Sequence, residues 1–172
     1  DVALLYQRGS FKLIQHQSIR IPSKQVKKAP TRDILHVIGK VVSGDTLDVM
    51  VVHYPSRRGG KAKSEPHRLL VTEILKQTVD SVMQVRQNPN VVIMGDFNDT
   101  PENFSIRSIL NAYPFSTPWA SHSVPITTNL SSIQKDSLLL YNLFTPKNTI
   151  GSHKYQGEWN QLDQFIVSAS FI

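Results

Sequence analysis

One long amphipathic segment between two short apolar runs constrains the fold most strongly. Its apolar residues recur on one helical stripe, at Val71, Leu75, Val79 and Val82. This spacing is typical of a helix that packs one face against a core. Ser64 is predicted to cap the helix, and Asn88-Pro89 to end it. The runs 46–53 and 91–94 on either side have the length of strands. Strand, helix and strand in this order predict helices layered on a sheet.

Further strands are predicted before this unit. Residues 11–21 alternate between apolar and polar side chains, which predicts an extended segment. The runs 34–39 and 46–53 are joined through Ser43-Gly44-Asp45, which predicts a hairpin. Because strand side chains alternate with period two, one face of the second run is expected to point to the core. That face carries Leu47, Val49, Val51 and His53.

The second half of the chain carries weaker signals. Thr100-Pro101-Glu102 predicts the start of a second helix, because a hydroxyl, a proline and an early acid are typical of one. Residues 116–132 are rich in serine and threonine and are predicted to form a long surface loop. The runs 138–144 and 162–168 are the last strand candidates.

The net charge of +6 is unevenly distributed. Residues 1–68 contain 13 basic and 5 acidic side chains, whereas residues 69–172 contain 6 basic and 8 acidic ones. This asymmetry favours an anionic ligand such as a phosphate, a nucleic acid or a lipid headgroup, although a solvated basic loop explains it equally well. Cysteine is absent, which excludes a thiolate nucleophile, a disulfide framework and a cysteine zinc site. No apolar run approaches the roughly 20 residues that cross a bilayer, so no membrane span is predicted.

The residues most capable of chemistry follow the apolar run 91–94. Gly95 allows close approach of the backbone, and Asp96 and Asn98 are two residues apart, so both can point to one side while Phe97 points inward. A carboxylate can accept a proton from water or hold a metal ion, and an amide can orient the water or donate to a phosphoryl oxygen. The alternative is a plain turn, since glycine, aspartate and asparagine are common turn residues.

Three segments in order resemble the endonuclease/exonuclease/phosphatase superfamily, with a deoxyribonuclease-like fold and a member of bacterial type. The central one is Val-Val-Ile-Met-Gly-Asp-Phe-Asn-Asp-Thr-Pro at residues 91–101. Upstream, residues 51–57 resemble the strand-end histidine motif, and downstream, residues 157–168 resemble the motif in which an aspartate opens a core strand. The apolar runs at both ends suggest that residues 1–172 are the central and C-terminal part of a single domain of this kind, incomplete at both ends.

The resemblance implies an α+β fold, a four-layered α/β/β/α sandwich of two packed sheets flanked by helices. It also implies a phosphoesterase that uses magnesium or manganese and an in-line attack of water. Asp96 would activate the water, Asn98 would hold the water and the phosphate, and His53 would contact the scissile phosphate or the leaving group. Asp163 would orient a second histidine. The alternative for His53 is a buried histidine that ends a strand, and the alternative for Asp163 is a capping or turn aspartate before a strand.

Asp96 and Asn98 are also the candidate metal ligands, but the main glutamate ligand of the family is expected upstream of Asp1. The family's closing Ser-Asp-His motif is expected after Ile172. His122 and His153 are not in that context and are interpreted as loop or strand-edge residues. The isolated segment is therefore expected to be inactive, and a non-catalytic binding or structural member of the fold remains the alternative.

Candidate substrate contacts flank these motifs. Arg57 and Arg58 begin a basic loop after the His53 strand, where they would attract an anion or simply be solvated. Tyr155 and Trp159 precede Asp163 and would stack on a sugar or base, or pack in the core. The resemblance implies a phosphoester substrate, and nucleic acid, a lipid phosphodiester and a small phosphate ester remain open. The sequence indicates no protein partner.

Overall fold

The computed structural model describes residues 2–22, 31–115, 139–144 and 151–172. Seven strands form one mixed sheet in the order β1-β2-β3-β4-β9-β6-β5, and β7 and β8 form a separate hairpin. The strands are β1 Phe11–Ile19, β2 Ile34–Val41, β3 Thr46–His53, β4 Asn90–Asp96, β5 Ala112–Pro114, β6 Leu140–Asn142, β7 His153–Tyr155, β8 Glu158–Asn160 and β9 Asp163–Ser168. Helix α1 spans Lys61–Val85, and short π- and 3-10-helical turns cover Ser105–Ile109 and Ala169–Phe171.

The predicted strands before residue 100 are confirmed. β1, β2 and β3 pair in antiparallel succession, with the expected hairpin between β2 and β3. α1 then carries the chain back so that β4 lies parallel to β3. β9 pairs antiparallel with β4, which brings the end of the chain beside its middle. The carboxyl ends of β3 and β4 therefore lie at the same edge as the start of β9.

The predicted cap of the helix is wrong. α1 begins at Lys61, with Gly60 in the capping position at φ 114°, and ends at Val85. Ser64 lies one turn inside, where its hydroxyl donates to the carbonyl oxygen of Gly60 and accepts a hydrogen bond from Arg68. The serine is thus buried as a hydrogen-bond bridge within the first turn, a role that the local sequence does not distinguish from capping.

The prediction of which face of β3 points to the main core is also wrong. The main core packs the predicted stripe of α1 against Met50 and Val52 of β3, together with Val91 and Ile93 of β4. Val49 and Val51 point to the opposite face of the sheet, where they join a smaller cluster. Both faces of β3 are therefore apolar, as is usual for a central strand with a parallel neighbour, and the alternation could not identify the larger core.

The predicted second helix does not begin at Thr100. The backbone nitrogen and hydroxyl of Thr100 both donate to the Asn103 Oδ1, and the Asn103 nitrogen donates back to the Thr100 carbonyl. These side-chain bonds replace helical ones, so the chain turns and forms only the short Ser105–Ile109 segment. The predicted loop 116–132 and residue 138 lie outside the described residues; 140–142 of the run 138–144 form β6.

The α+β class is confirmed: a large mixed sheet, a small second sheet and helices match the expected fold. The described residues provide the large sheet and the helix α1 that covers one of its faces. None of the helices in the described ranges is long and apolar enough to cross a membrane.

Candidate active site

Three of the predicted site residues lie side by side across three neighbouring strands. His53 ends β3 and is the register partner of Asp96 at the end of β4. Asp96 is in turn the register partner of Asp163 at the start of β9. The His53 Nε2 lies 3.7 Å from the Asp96 Oδ2, and both side chains are about one third exposed. The carboxylate therefore sits at the centre of the edge, open to solvent and close to an imidazole.

Gly95 lets β4 approach β3 closely at this edge. Its φ is 134°, and a Cβ at this position would collide with the carbonyl oxygen of Val52. Beyond it, the Tyr54 nitrogen donates to the Asp96 carbonyl at 2.8 Å, and the Phe97 nitrogen donates to the Leu162 carbonyl at 2.9 Å. The backbone around Asp96 is thus fixed from both sides.

Phe97 anchors this segment in the core. Its side chain is fully buried, and its ring centroid lies 5.1 Å from that of Tyr54, which is also fully buried. Burial raises the pKa of the Tyr54 hydroxyl far above its usual range. Tyr54 is therefore a neutral packing residue. Phe97 points inward, as the sequence predicts.

Asn98 turns back toward Asp96. Its φ of 49° lies in the left-handed region, which asparagine adopts more readily than most residues. Its backbone nitrogen donates to the Asp96 Oδ1 at 2.7 Å, and its Nδ2 donates to the Tyr54 carbonyl at 3.1 Å. The turn considered as the alternative is therefore present, and it fixes one carboxylate oxygen of Asp96 while the amide of Asn98 is buried.

Arg57 supports this turn. Its Nε donates to the Asn98 carbonyl at 2.6 Å, and its Nη2 donates to the Asn103 Oδ1 at 3.0 Å. The same Nη2 lies 3.5 Å from the Asp99 Oδ1. Much of the hydrogen-bonding capacity of this guanidinium is thus used within the protein, whereas Arg58 next to it is exposed.

Sequence reasoning missed a buried ion pair directly behind the site. The Arg68 Nε lies 2.9 Å from the Asp99 Oδ1, and both side chains are almost completely buried. The Ser105 hydroxyl donates to the other carboxylate oxygen of Asp99 at 2.7 Å. One signal was available, because Arg68 and Thr72 extend the apolar stripe of α1 toward its N-terminus. A charge on a buried stripe needs a charged partner.

A buried amide pair continues this network toward β9, and it was also missed. The Gln164 Nε2 donates to the Asp99 carbonyl at 2.6 Å, and the Gln164 Oε1 accepts a hydrogen bond from the Asn142 Nδ2 at 2.6 Å. Asp163, next to Gln164, points to solvent, and its backbone nitrogen donates to the Ser152 hydroxyl. β9 therefore alternates between supporting the loop from within and presenting a carboxylate at the edge.

The surroundings of His53 lower its pKa and so favour the neutral imidazole. Partial burial lowers its pKa, and the positive charge of Arg32 lowers it further, while Asp96 acts in the opposite direction. A pKa below the ordinary value of about 6.5 leaves the imidazole mostly uncharged at pH 7. A neutral imidazole has one N–H donor and one acceptor nitrogen.

The β7–β8 hairpin separates the two aromatic residues predicted to contact substrate. Lys154 pairs with Trp159, and Tyr155 pairs with Glu158, so Tyr155 and Trp159 point to opposite faces. The Lys154 Nζ lies 5.7 Å from the Trp159 ring centroid on one face. On the other face, His153 and Tyr155 line a cavity of about 630 Å³ that also includes Arg58 and Asn98. His153 is a strand-edge residue as predicted, and His122 lies outside the described residues.

The donor atoms at the edge suit a hard divalent cation, but they form only part of a ligand set. The oxygens of Asp96 and Asn98 are of the type that magnesium and manganese prefer. Within the described ranges, no three histidine or carboxylate side chains converge closely enough to hold an ion.

Comparisons with known proteins bear on the family and on the fold. The chain matches the Endonuclease/Exonuclease/phosphatase family over residues 1–172. No curated protein matches it in sequence.

Solved structures share the fold at low sequence identity, and three of them serve as examples. The catalytic domain of human Nocturnin, with bound sulfate anion, has a TM-score of 0.59 at 17% identity, covering 95% of this chain and 50% of that one. D. rerio TDP2 complexed with single-strand DNA product has a TM-score of 0.53 at 14% identity, and the match covers 96% of this chain and 56% of that one. ANGEL2, a 2′,3′-cyclic phosphatase, has a TM-score of 0.59 at 14% identity, and the match covers 95% of this chain and 57% of that one. The chain thus spans about half the length of these structures.

Proposed function

Since the chain belongs to the endonuclease/exonuclease/phosphatase family, we propose that it provides the water-activating side of a divalent-metal-dependent phosphoesterase site. The observation that carries this proposal is the alignment of His53, Asp96 and Asp163 across three neighbouring strands. Membership of a family of phosphoester hydrolases supports this reaction class, and the geometry suggests which residues would act.

Asp96 is suited to activate water. One carboxylate oxygen accepts a hydrogen bond from the Asn98 nitrogen, which fixes the side chain. The Oδ2 faces the exposed edge near His53, where it can accept a proton from a water molecule. The water oxygen then bonds to phosphorus as the bond to the leaving oxygen breaks. Asn98, held by the Tyr54 carbonyl, would orient the water and the phosphate.

His53 and Asp163 flank this carboxylate. A neutral imidazole at His53 can donate one hydrogen bond to a phosphoryl oxygen or to the leaving group. The exposed carboxylate of Asp163 would orient a second histidine, as a carboxylate does in other acid–base pairs. Asp96 and Asn98 would hold magnesium or manganese, which when bound polarises a phosphoryl oxygen and neutralises developing charge.

Asp96→Asn in the full-length protein that contains this sequence tests the proposal. The substitution keeps the shape and removes the charge, so kcat for a generic bis-aryl phosphodiester with magnesium should fall by about 10²–10⁴. His53→Ala should lower kcat less. Asp45→Asn is a matched control, because Asp45 is an exposed carboxylate in the turn at the opposite end of β3.

The outcomes are distinct if thermal unfolding shows that all variants are folded. Near-normal turnover by Asp96→Asn would refute the role of this residue. Absence of turnover by the wild-type protein with magnesium or manganese would favour the non-catalytic alternative. Residues 1–172 alone should be inactive, because the described residues supply only part of a ligand set. Turnover by this segment within about tenfold of the full-length protein would contradict that expectation.

A further inference from the structure

The cavity beside the candidate active site is lined by positive charge. It opens between the loop 56–61 and the β7–β8 hairpin, and Asn98 forms part of its wall. It is therefore adjacent to the carboxylate edge described above. Arg57, Arg58 and Lys61 contribute to its lining, whereas the described lining residues include no carboxylate.

Two of these three cations are available to a ligand. Arg57 is engaged by the Asn98 carbonyl and by Asn103. Arg58 and Lys61 are exposed, and neither makes an ion pair with a residue in the described ranges. A pair of uncompensated cations at the mouth of a cavity favours an anionic ligand, and arginine is particularly suited to phosphate.

The opposite wall presents a flat apolar surface. Tyr155 is 62% exposed, and it shares the cavity face of β7 with His153. An exposed aromatic ring beside a basic surface is the arrangement on which nucleobases stack. Leu162 is the only aliphatic side chain among the described lining residues.

The size of the cavity agrees with this chemistry. Its volume of about 630 Å³ lies in the range of sites for small organic ligands, roughly 300–1,000 Å³. Because Asn98 belongs both to the cavity wall and to the Asp96 turn, a ligand in the cavity would lie next to a phosphate bound at Asp96.

We infer that this cavity binds the nucleotide next to the scissile phosphate, with its phosphate on Arg58 and Lys61 and its base on Tyr155. The inference rests on the proposed function and extends it, because it identifies single-stranded nucleic acid as the substrate class. A second phosphate together with a stacking base is a combination that a simple lipid phosphodiester or a non-nucleotide phosphate monoester lacks.

Binding of a short fluorescein-labelled oligothymidine, measured by anisotropy in the full-length protein, tests this inference without relying on turnover. Arg58→Gln/Lys61→Gln should weaken binding about tenfold and make it less dependent on salt, because two phosphate contacts are lost. The matched control is Lys12→Gln/Lys40→Gln, which removes two exposed charges that face each other at the opposite end of the sheet. This control should bind like the wild type.

Tyr155→Ala should also weaken binding about tenfold, which corresponds to ~1.4 kcal/mol of lost stacking. Unchanged oligothymidine binding in both cavity variants would overturn the inference, as would an equal loss in the Lys12/Lys40 control. A different result would be that Arg58 and Lys61 are needed to bind anionic phospholipid vesicles but not to bind oligothymidine. That result would identify a lipid, and not a nucleic acid, as the ligand of the cavity.

A bis-aryl phosphodiester separates this inference from the proposed function, because it carries neither a second phosphate nor a base. If the wild type hydrolyses it but binds oligothymidine independently of the cavity, only the inference fails. If the wild type does not hydrolyse the phosphodiester, but the cavity variants bind oligothymidine more weakly than the wild type does, the proposed function fails and the binding site stands.

Discussion

Removing Arg68 tests how strongly the buried ion pair supports the site loop. Arg68 has no exposed surface, and its Nε lies 2.9 Å from the Asp99 carboxylate, which is equally buried. In Arg68→Met the carboxylate would lose its nearest cation while staying in the protein interior. Breaking a buried pair from one side typically costs about 3–5 kcal/mol, because an uncompensated charge remains.

Two other contacts place the expected loss at the lower end of that range. The Ser105 hydroxyl at 2.7 Å and Arg57 at 3.5 Å would continue to stabilise the Asp99 carboxylate. We therefore expect Arg68→Met to lower the free energy of unfolding by about 3 kcal/mol. For a chain of this size this corresponds to a decrease in Tm of about 6–12 °C.

Urea denaturation of the wild type, Arg68→Met, Asp99→Asn and the double variant measures this directly. The double variant should be less destabilised than the sum of the single variants by about 1–3 kcal/mol, because the charge left behind is removed with its partner. Lys76→Met is the matched control on the same helix, because the Lys76–Asp80 pair is partly exposed and should contribute no more than about 0.5 kcal/mol. A loss below about 1 kcal/mol in Arg68→Met, or strictly additive single variants, would refute the reasoning.

Three other predictions concern pH, backbone geometry and metal. Burial raises the pKa of Asp48, but hydrogen bonds from His36 and Arg86 outweigh it, so the pKa lies below its ordinary value. Its stabilising contribution should be complete above the unfolded pKa of about 3.9 and be lost as the pH falls through the folded pKa; Asp48→Asn should flatten this acid dependence in urea titrations. Gly95→Ala should destabilise by at least ~2 kcal/mol, because φ 134° and the Val52 carbonyl oppose a side chain, and unchanged stability would contradict the close strand approach. Chelation should abolish turnover of the full-length protein, with recovery on adding magnesium or manganese, and full activity in excess chelator would exclude the proposed mechanism.

The parts of the fold that follow from local periodicity were predictable. The stripe of α1 and the apolar runs of β3 and β4 bury side chains at regular intervals, and the structure has these elements where the spacing indicates. The inward side chain of Phe97 was also predictable, whereas Asn98 lies beyond the end of β4 and reaches Asp96 through a turn, with its own amide buried.

The parts that depend on distant partners were not predictable. Nothing local to Asp99 indicates that its carboxylate pairs with Arg68 of the helix, and nothing local to Ser64 distinguishes a cap from a bridge to the same arginine. The opposite orientations of Tyr155 and Trp159 follow from the register of a short hairpin, and a shift of one residue would reverse them.

The position of Asp99 also has a consequence for the order in which the protein folds. Its side chain is held by α1, and its carbonyl is held by Gln164, 65 residues further along the chain. Contacts of such long range form only after loop closure, which is entropically costly. The turn that contains Asn98 should therefore acquire its native shape late, once α1 and β9 have both docked. Its backbone amides should then exchange with solvent hydrogen mainly through openings that separate these two elements, so the exchange rate at Asn98 would report the docking of α1 and β9.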